Sequence, residues 1–373
     1  MNNLLVTLLV IIITSSLSCS TTSFKQNIEV KTPVIGFNKK VDYIVINKMN
    51  EYNIPGLSLG VIRNDSIIYT RGYGVRDIGN NDLVTENTIF HTASISKLFT
   101  ALAIMQLIEN NKLSLDSKLV DILPELKYRD KIAENIIIKH LLNHTSGIPD
   151  INNYHWANNN EADNSLKEYV LGLNLRLDAG PSSEYQYSNL AYDILGYVIE
   201  KISGSTFDEY LKENVLTKSS MDNSDFRYFN IPHTLKTAPH SKNRITGKIY
   251  ARKTYPYTRE HAPSSTLNSS AIDLSNWMIY FLQTINDSSS QNNYQAMLEP
   301  TYNPNPHIGL GFQLNTLNSK KTIGHYGGDK GFRCYLFMIP EDNIGLVVLA
   351  NCDYNENFRQ EILHPIAKLM TKK

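Results

Sequence analysis

The stretch Ser94-Ile95-Ser96-Lys97-Leu98-Phe99-Thr100-Ala101-Leu102-Ala103-Ile104-Met105-Gln106-Leu107-Ile108 decides how this chain is read. From Leu98 onward it is apolar almost all round, the pattern of a helix buried on every side. A serine and a lysine three residues apart share one face of such a helix. A serine hydroxyl is a weak nucleophile until a neighbour takes its proton, and a buried lysine can be neutral near pH 7. Ser94, at the helix N-terminus, also faces unpaired backbone N–H groups and the positive end of the dipole. In a chain rich in both residues the spacing also arises by accident, mostly in solvated caps, so the rest of the sequence has to decide.

Working outward, 373 residues suffice for one large domain or two modest ones. The chain is 42% hydrophobic and 19% charged with zero formal net charge. That is an ordinary globular balance without a long basic run, which excludes nucleic acid as a partner. Leu4 to Ile13 is apolar apart from Thr7, the length of a signal-peptide core and too short to span a bilayer. No Lys or Arg precedes it. Ser16-Leu17-Ser18-Cys19-Ser20 is similar to a bacterial lipoprotein cleavage site, although the usual leucine three residues before the cysteine is absent. Residues 1–18 are therefore expected to be a signal peptide, Cys19 a lipid anchor and 19–34 a tether. The chain would be exported and held at a membrane or in a periplasm, with plain secretion as the alternative. Cys334 and Cys352 flank a hairpin turn at Pro340-Glu341-Asp342-Asn343 that would pair Cys334 with Val348 or Leu349, so both read as packing residues rather than a disulfide.

Apolar spacing predicts a helix over Val41–Tyr52, then a hairpin of Leu57–Ile62 and Ile67–Tyr69 turning at Asn64-Asp65. From about 110 to 258 the chain reads as a helical insertion, including amphipathic helices at Leu190–Ile202, ended by Gly204, and Phe207–Val215. A helix around Ile272–Leu282 follows. The strands Leu310–Leu314, Lys321–His325, Phe332–Ile339 and Ile344–Ala350 come last, the final two forming a hairpin. Strands from both ends of one domain (35–373) thus predict an α+β fold. It has one antiparallel sheet (about 35–109 and 259–373) flanked by helices, an all-helical subdomain beside it, and a cleft at the junction.

Two further patterns carry chemistry. Tyr187-Ser188-Asn189 opens the helix Leu190–Ile202. The tyrosine could move a proton if an ammonium lowers its pKa, and the asparagine offers the donor and acceptor that hold an amide. His325-Tyr326-Gly327-Gly328 ends a predicted edge strand, and its glycines let substrate approach backbone N–H groups that can serve an oxyanion. Tyr228-Phe229-Asn230 and His307-Ile308-Gly309 repeat these patterns without the helix or strand behind them and read as coincidence. Lys321-Thr322 imitates a Lys-Thr-Gly start, but Ile323 stands at the glycine. His144, in Asn143-His144-Thr145-Ser146-Gly147, reads as a turn residue. Arg333 is either a carboxylate partner or a solvated strand residue.

Ser-x-x-Lys, Tyr-x-Asn and His-x-Gly in that order resemble the serine β-lactamase and penicillin-binding protein superfamily. The likeness is to the branch of class C β-lactamases, D-alanyl-D-alanine carboxypeptidases and family VIII esterases. It extends to Ile54-Pro55-Gly56-Leu57-Ser58-Leu59, Gly72-Tyr73-Gly74, Leu141–Ile148 and Gly331–Asn351, roughly residues 40 to 370. The resemblance implies that Ser94 is acylated, Lys97 is its proton partner and Tyr187 is the second acid/base. It further implies that Asn189 holds a substrate amide, that His325 and Gly327 lie beside the substrate, and that the N–H groups of Ser94 and Gly328 form the oxyanion hole. It implies a small-molecule or peptide substrate and no metal or organic cofactor; the oligomeric state stays open.

The chain departs from class C enzymes in having His325 where they usually carry lysine, and Ala262-Pro263-Ser264-Ser265 where relatives often have Pro-Ala-Gly-Gly. A histidine that titrates near 6.5 predicts that weak acid improves binding of carboxylate-bearing substrates. Three readings follow: a hydrolase of cell-wall peptides or other acyl substrates, an esterase with slight β-lactamase activity, and a penicillin-binding sensor that deacylates slowly.

Overall fold

Asn64 and Asp65 both take left-handed backbone angles (φ 49° and 56°), the twist that closes a tight hairpin between β1 (Gly56–Arg63) and β2 (Ser66–Gly74). The structure, a computed structural model, describes residues 36–158, 160–287 and 293–371. The expected signal segment, Cys19 and the tether lie outside the described residues. Before the hairpin, α1 spans Phe37–Tyr52 and buries Val41, Val45 and Met49. After it comes α2 (Ser96–Glu109), buried on every side as its composition demands. Next are α3 (Asn189–Ser203) and α4 (Ala271–Asn286), whose N-caps Ser188 and Ser270 accept from the backbone N–H of Ala191 and Asp273. The chain closes with β3 (Gln313–Leu317), β4 (Lys320–Asp329), β5 (Phe332–Ile339), β6 (Ile344–Ala350) and α5 (Phe358–Thr371).

The six strands form one antiparallel sheet in the order β2-β1-β6-β5-β4-β3, so the first and last hairpins meet at the β1–β6 ladder, Leu57 opposite Ala350 and Arg63 opposite Ile344. This is the expected α+β architecture. Cys334 lies opposite Leu349, and both Cys334 and Cys352 are buried free thiols. One sheet face packs on α1 and α5 through Leu59, Val61, Leu346, Ile362 and Ile366. The other packs on α4, whose Trp277 meets Phe99 of α2 at 4.7 Å and Phe281 at 5.3 Å, in a core that continues through α2 to α3.

Four details differ from expectation. The α-helix begins at Ser96, because Ala93 has a left-handed φ of 50° and leads into a 3₁₀ turn at Ala93–Ile95 that carries Ser94. Strand β3 starts at Gln313 because Gly311 (φ 84°) breaks the backbone before it. Strand β4 runs on to Asp329, four residues past His325, because Gly327 and Gly328 pair with β5 instead of turning. The mostly helical block between α2 and α4 also carries short pairings, Lys127–Tyr128 with Asn174–Leu175 and His240–Lys242 with Ile249–Ala251.

Candidate active site

Ser94 is held at a bend. Ser96 Oγ donates to Ala93 O at 2.7 Å and accepts from Leu267 N at 2.9 Å, fixing the turn that presents the Ser94 hydroxyl. Lys97, one turn along, donates to Ser94 Oγ at 3.1 Å. Tyr187 arrives from the start of α3 and donates its phenol to the same oxygen at 2.9 Å. Residues 94, 97 and 187 thus meet at one atom.

The Lys97 amine is fully buried. It also donates to Asn189 Oδ1 at 2.5 Å and Ser264 O at 2.7 Å. Burial pushes its pKa down to about 7, and Asp193, Asp150 and Asp329 only partly offset that. A neutral amine has two hydrogens and one lone pair. As the ammonium, Lys97 donates to all three oxygens; once neutral, its two hydrogens stay on the amide and carbonyl oxygens, which can only accept, and its lone pair is left for the Ser94 proton. Burial drives the Tyr187 phenol upward rather than down, so it stays protonated and acts as a donor. The expectation that a nearby ammonium lowers the Tyr187 pKa is therefore corrected.

Asn189 lies at the junction, but both ends of its amide are engaged. Oδ1 takes Lys97, while Nδ2 faces Asp150 Oδ1 and Oδ2 at 3.0 and 3.2 Å, and its backbone N–H meets Asp150 Oδ1 at 2.8 Å. What this geometry does at rest is orient Lys97. Holding a substrate amide, the expected role, would require Asn189 to share or release a partner.

His325 is buried, and its Nδ1 lies 2.6 Å from Tyr326 O. Since a carbonyl only accepts, Nδ1 carries the proton and Nε2 is left as an acceptor. Burial, helped by Lys97, pushes its pKa down to about 3. The expected weak-acid switch at His325 is thus overturned: the ring is neutral across pH 5.5 to 7.5.

Gly327 is where β4 reaches the nucleophile turn; a Cβ there would lie 2.1 Å from Thr92 O. The two-residue loop Lys330-Gly331 makes Asp329–Phe332 a hydrogen-bonded pair, so Gly328 sits at a non-bonded position and its N–H points to the outer edge. Tyr326, at the same parity, sends its N–H outward to Gln313 Oε1 at 3.2 Å. Strand β3 covers β4 only as far as Gly324, so the edge at Gly328 is open beside Ser94, as an oxyanion donor requires. A small recess of about 10 Å³ adjoins Tyr187 and His325, lined also by His144, Tyr185, Phe312 and Gln313.

The family model Beta-lactamase matches residues 41–369, most of the chain. This chain belongs to that family. Among solved structures it is similar to an octameric penicillin-binding protein homologue from Pyrococcus abyssi (TM-score 0.76, 26% identity, 90% of this chain and 78% of the other). It shares its fold with a penicillin-binding protein from Bacillus halodurans (TM-score 0.69, 23% identity, 87% and 98%). Curated relatives include Protein flp of Staphylococcus aureus (strain MW2), 27% identical over 322 residues, and Unguisins hydrolase ungD' of Aspergillus campestris, 25% identical over 340. These matches cover 84% of this chain and 63% and 62% of the relatives, so the chain spans less than two thirds of their length.

Family membership does not reveal the supporting residues, which the sequence reading also missed. Asp150 anchors Asn189 from a loop, and the Ser264 backbone carbonyl, which no sequence pattern can mark, holds Lys97. Asp193 is buried against His261 Nδ1 at 2.7 Å. His144, read as a turn residue, does have a left-handed φ of 59°, but its ring also packs on Tyr187 at 4.4 Å and its Nδ1 accepts from Ser188 N at 3.2 Å. Ile308 and Gly309, discounted as a chance triplet, line the recess. Arg333 binds Glu356 at 2.6 Å, Lys321 binds Glu299 at 3.0 Å, and Tyr228 stacks on Tyr255 at 3.7 Å, none of them at Ser94.

Proposed function

We propose that the protein is a serine hydrolase that cleaves an amide or ester through an acyl-enzyme on Ser94. The observation that carries this reading is the convergence of Lys97 Nζ and Tyr187 Oη on Ser94 Oγ. Neutral Lys97 takes the Ser94 proton as Oγ attacks the carbonyl carbon. The carbonyl oxygen, now negative, is held by the N–H groups of Ser94 and Gly328. Collapse expels the leaving group, which takes the Tyr187 proton, and the Lys97 ammonium replaces it. Water then attacks the ester, gives its proton to the same pair, and frees Ser94.

Turnover of a chromogenic cephalosporin, a p-nitrophenyl ester and a D-Ala-D-Ala peptide tests the reading. Steady hydrolysis of at least one, abolished in Ser94→Ala, is expected. Hydrolysis that survives in Ser94→Ala would sink it, and a stoichiometric burst without turnover would move the reading to a penicillin-binding sensor. Export and lipid anchoring at Cys19 belong to the same proposal, supported by the apolar run Leu4–Ile13 and the residues before Cys19. No helix among the described residues is long and apolar enough to cross a membrane. Labelling with radioactive palmitate, lost in Cys19→Ala, tests the anchor.

A further inference from the structure

Strand alternation puts His325, Gly327 and Asp329 on the face of β4 that meets the nucleophile turn, and Tyr326 and Gly328 on the other. Along the open edge the two cleft-facing side chains therefore flank the oxyanion position, a neutral imidazole on one side and a carboxylate on the other. Asp329 Oδ2 accepts from His91 Nε2 at 2.8 Å and Ser265 Oγ at 2.5 Å. Both donors converge on that oxygen. Oδ1 has no hydrogen-bond partner among the described residues, and it is not a buried atom. The carboxylate thus keeps one oxygen open to solvent.

No Lys or Arg pairs with Asp329 among the described residues. Lys97 is committed to Ser94, Asn189 and Ser264. Arg333 has its Nε on Glu356 and gives its Nη1 to the carbonyls of Asp329 and Phe332, on the strand face away from the cleft. Lys330 sits 5.2 Å above the Trp156 ring. Trp156 stacks on Tyr154 at 5.0 Å, and Tyr154 meets the His261 ring edge-on at 4.8 Å. An open carboxylate with no paired cation, beside a neutral histidine, forms a surrounding that favours an ammonium and opposes a second carboxylate.

Resting on the acyl-enzyme reading, we infer that the substrate's acyl part carries a protonated primary amine bound by Asp329 Oδ1 beside the Tyr154–Trp156 stack. The scissile carbonyl oxygen belongs at Gly328 N–H, and Asp329 is the next residue along the edge. An α-ammonium lies two bonds from the carbonyl carbon, within reach of that carboxylate. The fitting class is an amide or ester of an amino acid with a free α-amine.

The test compares kcat/KM for alanine p-nitroanilide with that for its N-acetyl form, in each hand, with p-nitrophenyl acetate run in parallel. The free amine should be preferred by about tenfold or more in at least one hand, and Asp329→Asn should bring that ratio close to one. The ratio is taken within one protein, so a general loss of active enzyme cancels. In the wild type, alaninamide should inhibit p-nitrophenyl acetate turnover at least about tenfold more strongly than N-acetylalaninamide, a readout that needs no variant. Preference for the acetylated forms, cleavage of neither anilide, equal inhibition, or a ratio unmoved by Asp329→Asn would overturn the inference. If p-nitrophenyl acetate is cleaved in a Ser94-dependent way while these fail, the inference falls and the acyl-enzyme reading stands. If Ser94→Ala cleaves it as well as the wild type, the acyl-enzyme reading falls and the inference with it.

Discussion

Lys97 is the residue on which the chemistry turns, because its burial brings the amine's pKa down to about 7, so that a large share of it is neutral where an ordinary lysine would be charged. As a base it works only when deprotonated. Acylation measured as kcat/KM should therefore climb about tenfold per pH unit below about 7 and level off above it. Lys97→Ala should lower acylation by roughly 10²–10⁴-fold, measured by stopped-flow with an activated ester. His325 is held neutral, so wild type and His325→Gln should show superimposable pH dependence of KM for a carboxylate-bearing substrate between pH 5.5 and 7.5. Improvement on acidification in the wild type alone would contradict this. Much of the site was legible because its signals are local: Ser94 and Lys97 are one helical turn apart, and Ser188, within Tyr187-Ser188-Asn189, is itself the cap of α3. Asp150, the Ser264 carbonyl and the His91–Asp329 pair were not legible. Their partners come from distant segments, and a main-chain carbonyl has no residue type to betray it. The protonation states of Tyr187 and His325 were misjudged for a related reason: burial, a property of the fold, decides both.

At the scale of elements, the site depends on β4 lying directly against the nucleophile turn. Gly327→Ala would place a methyl 2.1 Å from Thr92 O, a backbone atom that cannot swing aside. The strand would have to move away from Ser94. The expected result is a destabilisation of about 1–3 kcal/mol in denaturant unfolding, together with loss of acylation far beyond the unfolded fraction. Stable protein with normal acylation would refute the placement of that edge. The existence of the strands and the pairing of the first and last two into hairpins were readable from their apolar runs, whereas their ends and their order across the sheet were not. Gly327-Gly328 looks like a stop in sequence, yet the ladder to β5 carries the strand past it. Gly311 looks neutral, yet its left-handed φ delays β3.

The whole molecule is a sheet with a core on each face, and only one of them carries the site. Trp277, fully buried against Phe99 of α2, belongs to the site-bearing core, and Ile362 of α5 belongs to the other. Ile362→Ala should cost about 2–5 kcal/mol and Trp277→Ala about 3–5 kcal/mol. The folded fraction of the first should acylate at close to the normal rate while the second is slowed, because α2 carries Lys97. Equal slowing of both, seen by burst kinetics corrected for unfolding, would contradict that division. The most direct test of the account is intact-protein and peptide mass spectrometry after incubation with a penicillin and with an activated ester. It should find one acyl group on the peptide containing Ser94 in the wild type and none in Ser94→Ala. An adduct that persists in Ser94→Ala, or that maps to another residue, would contradict it.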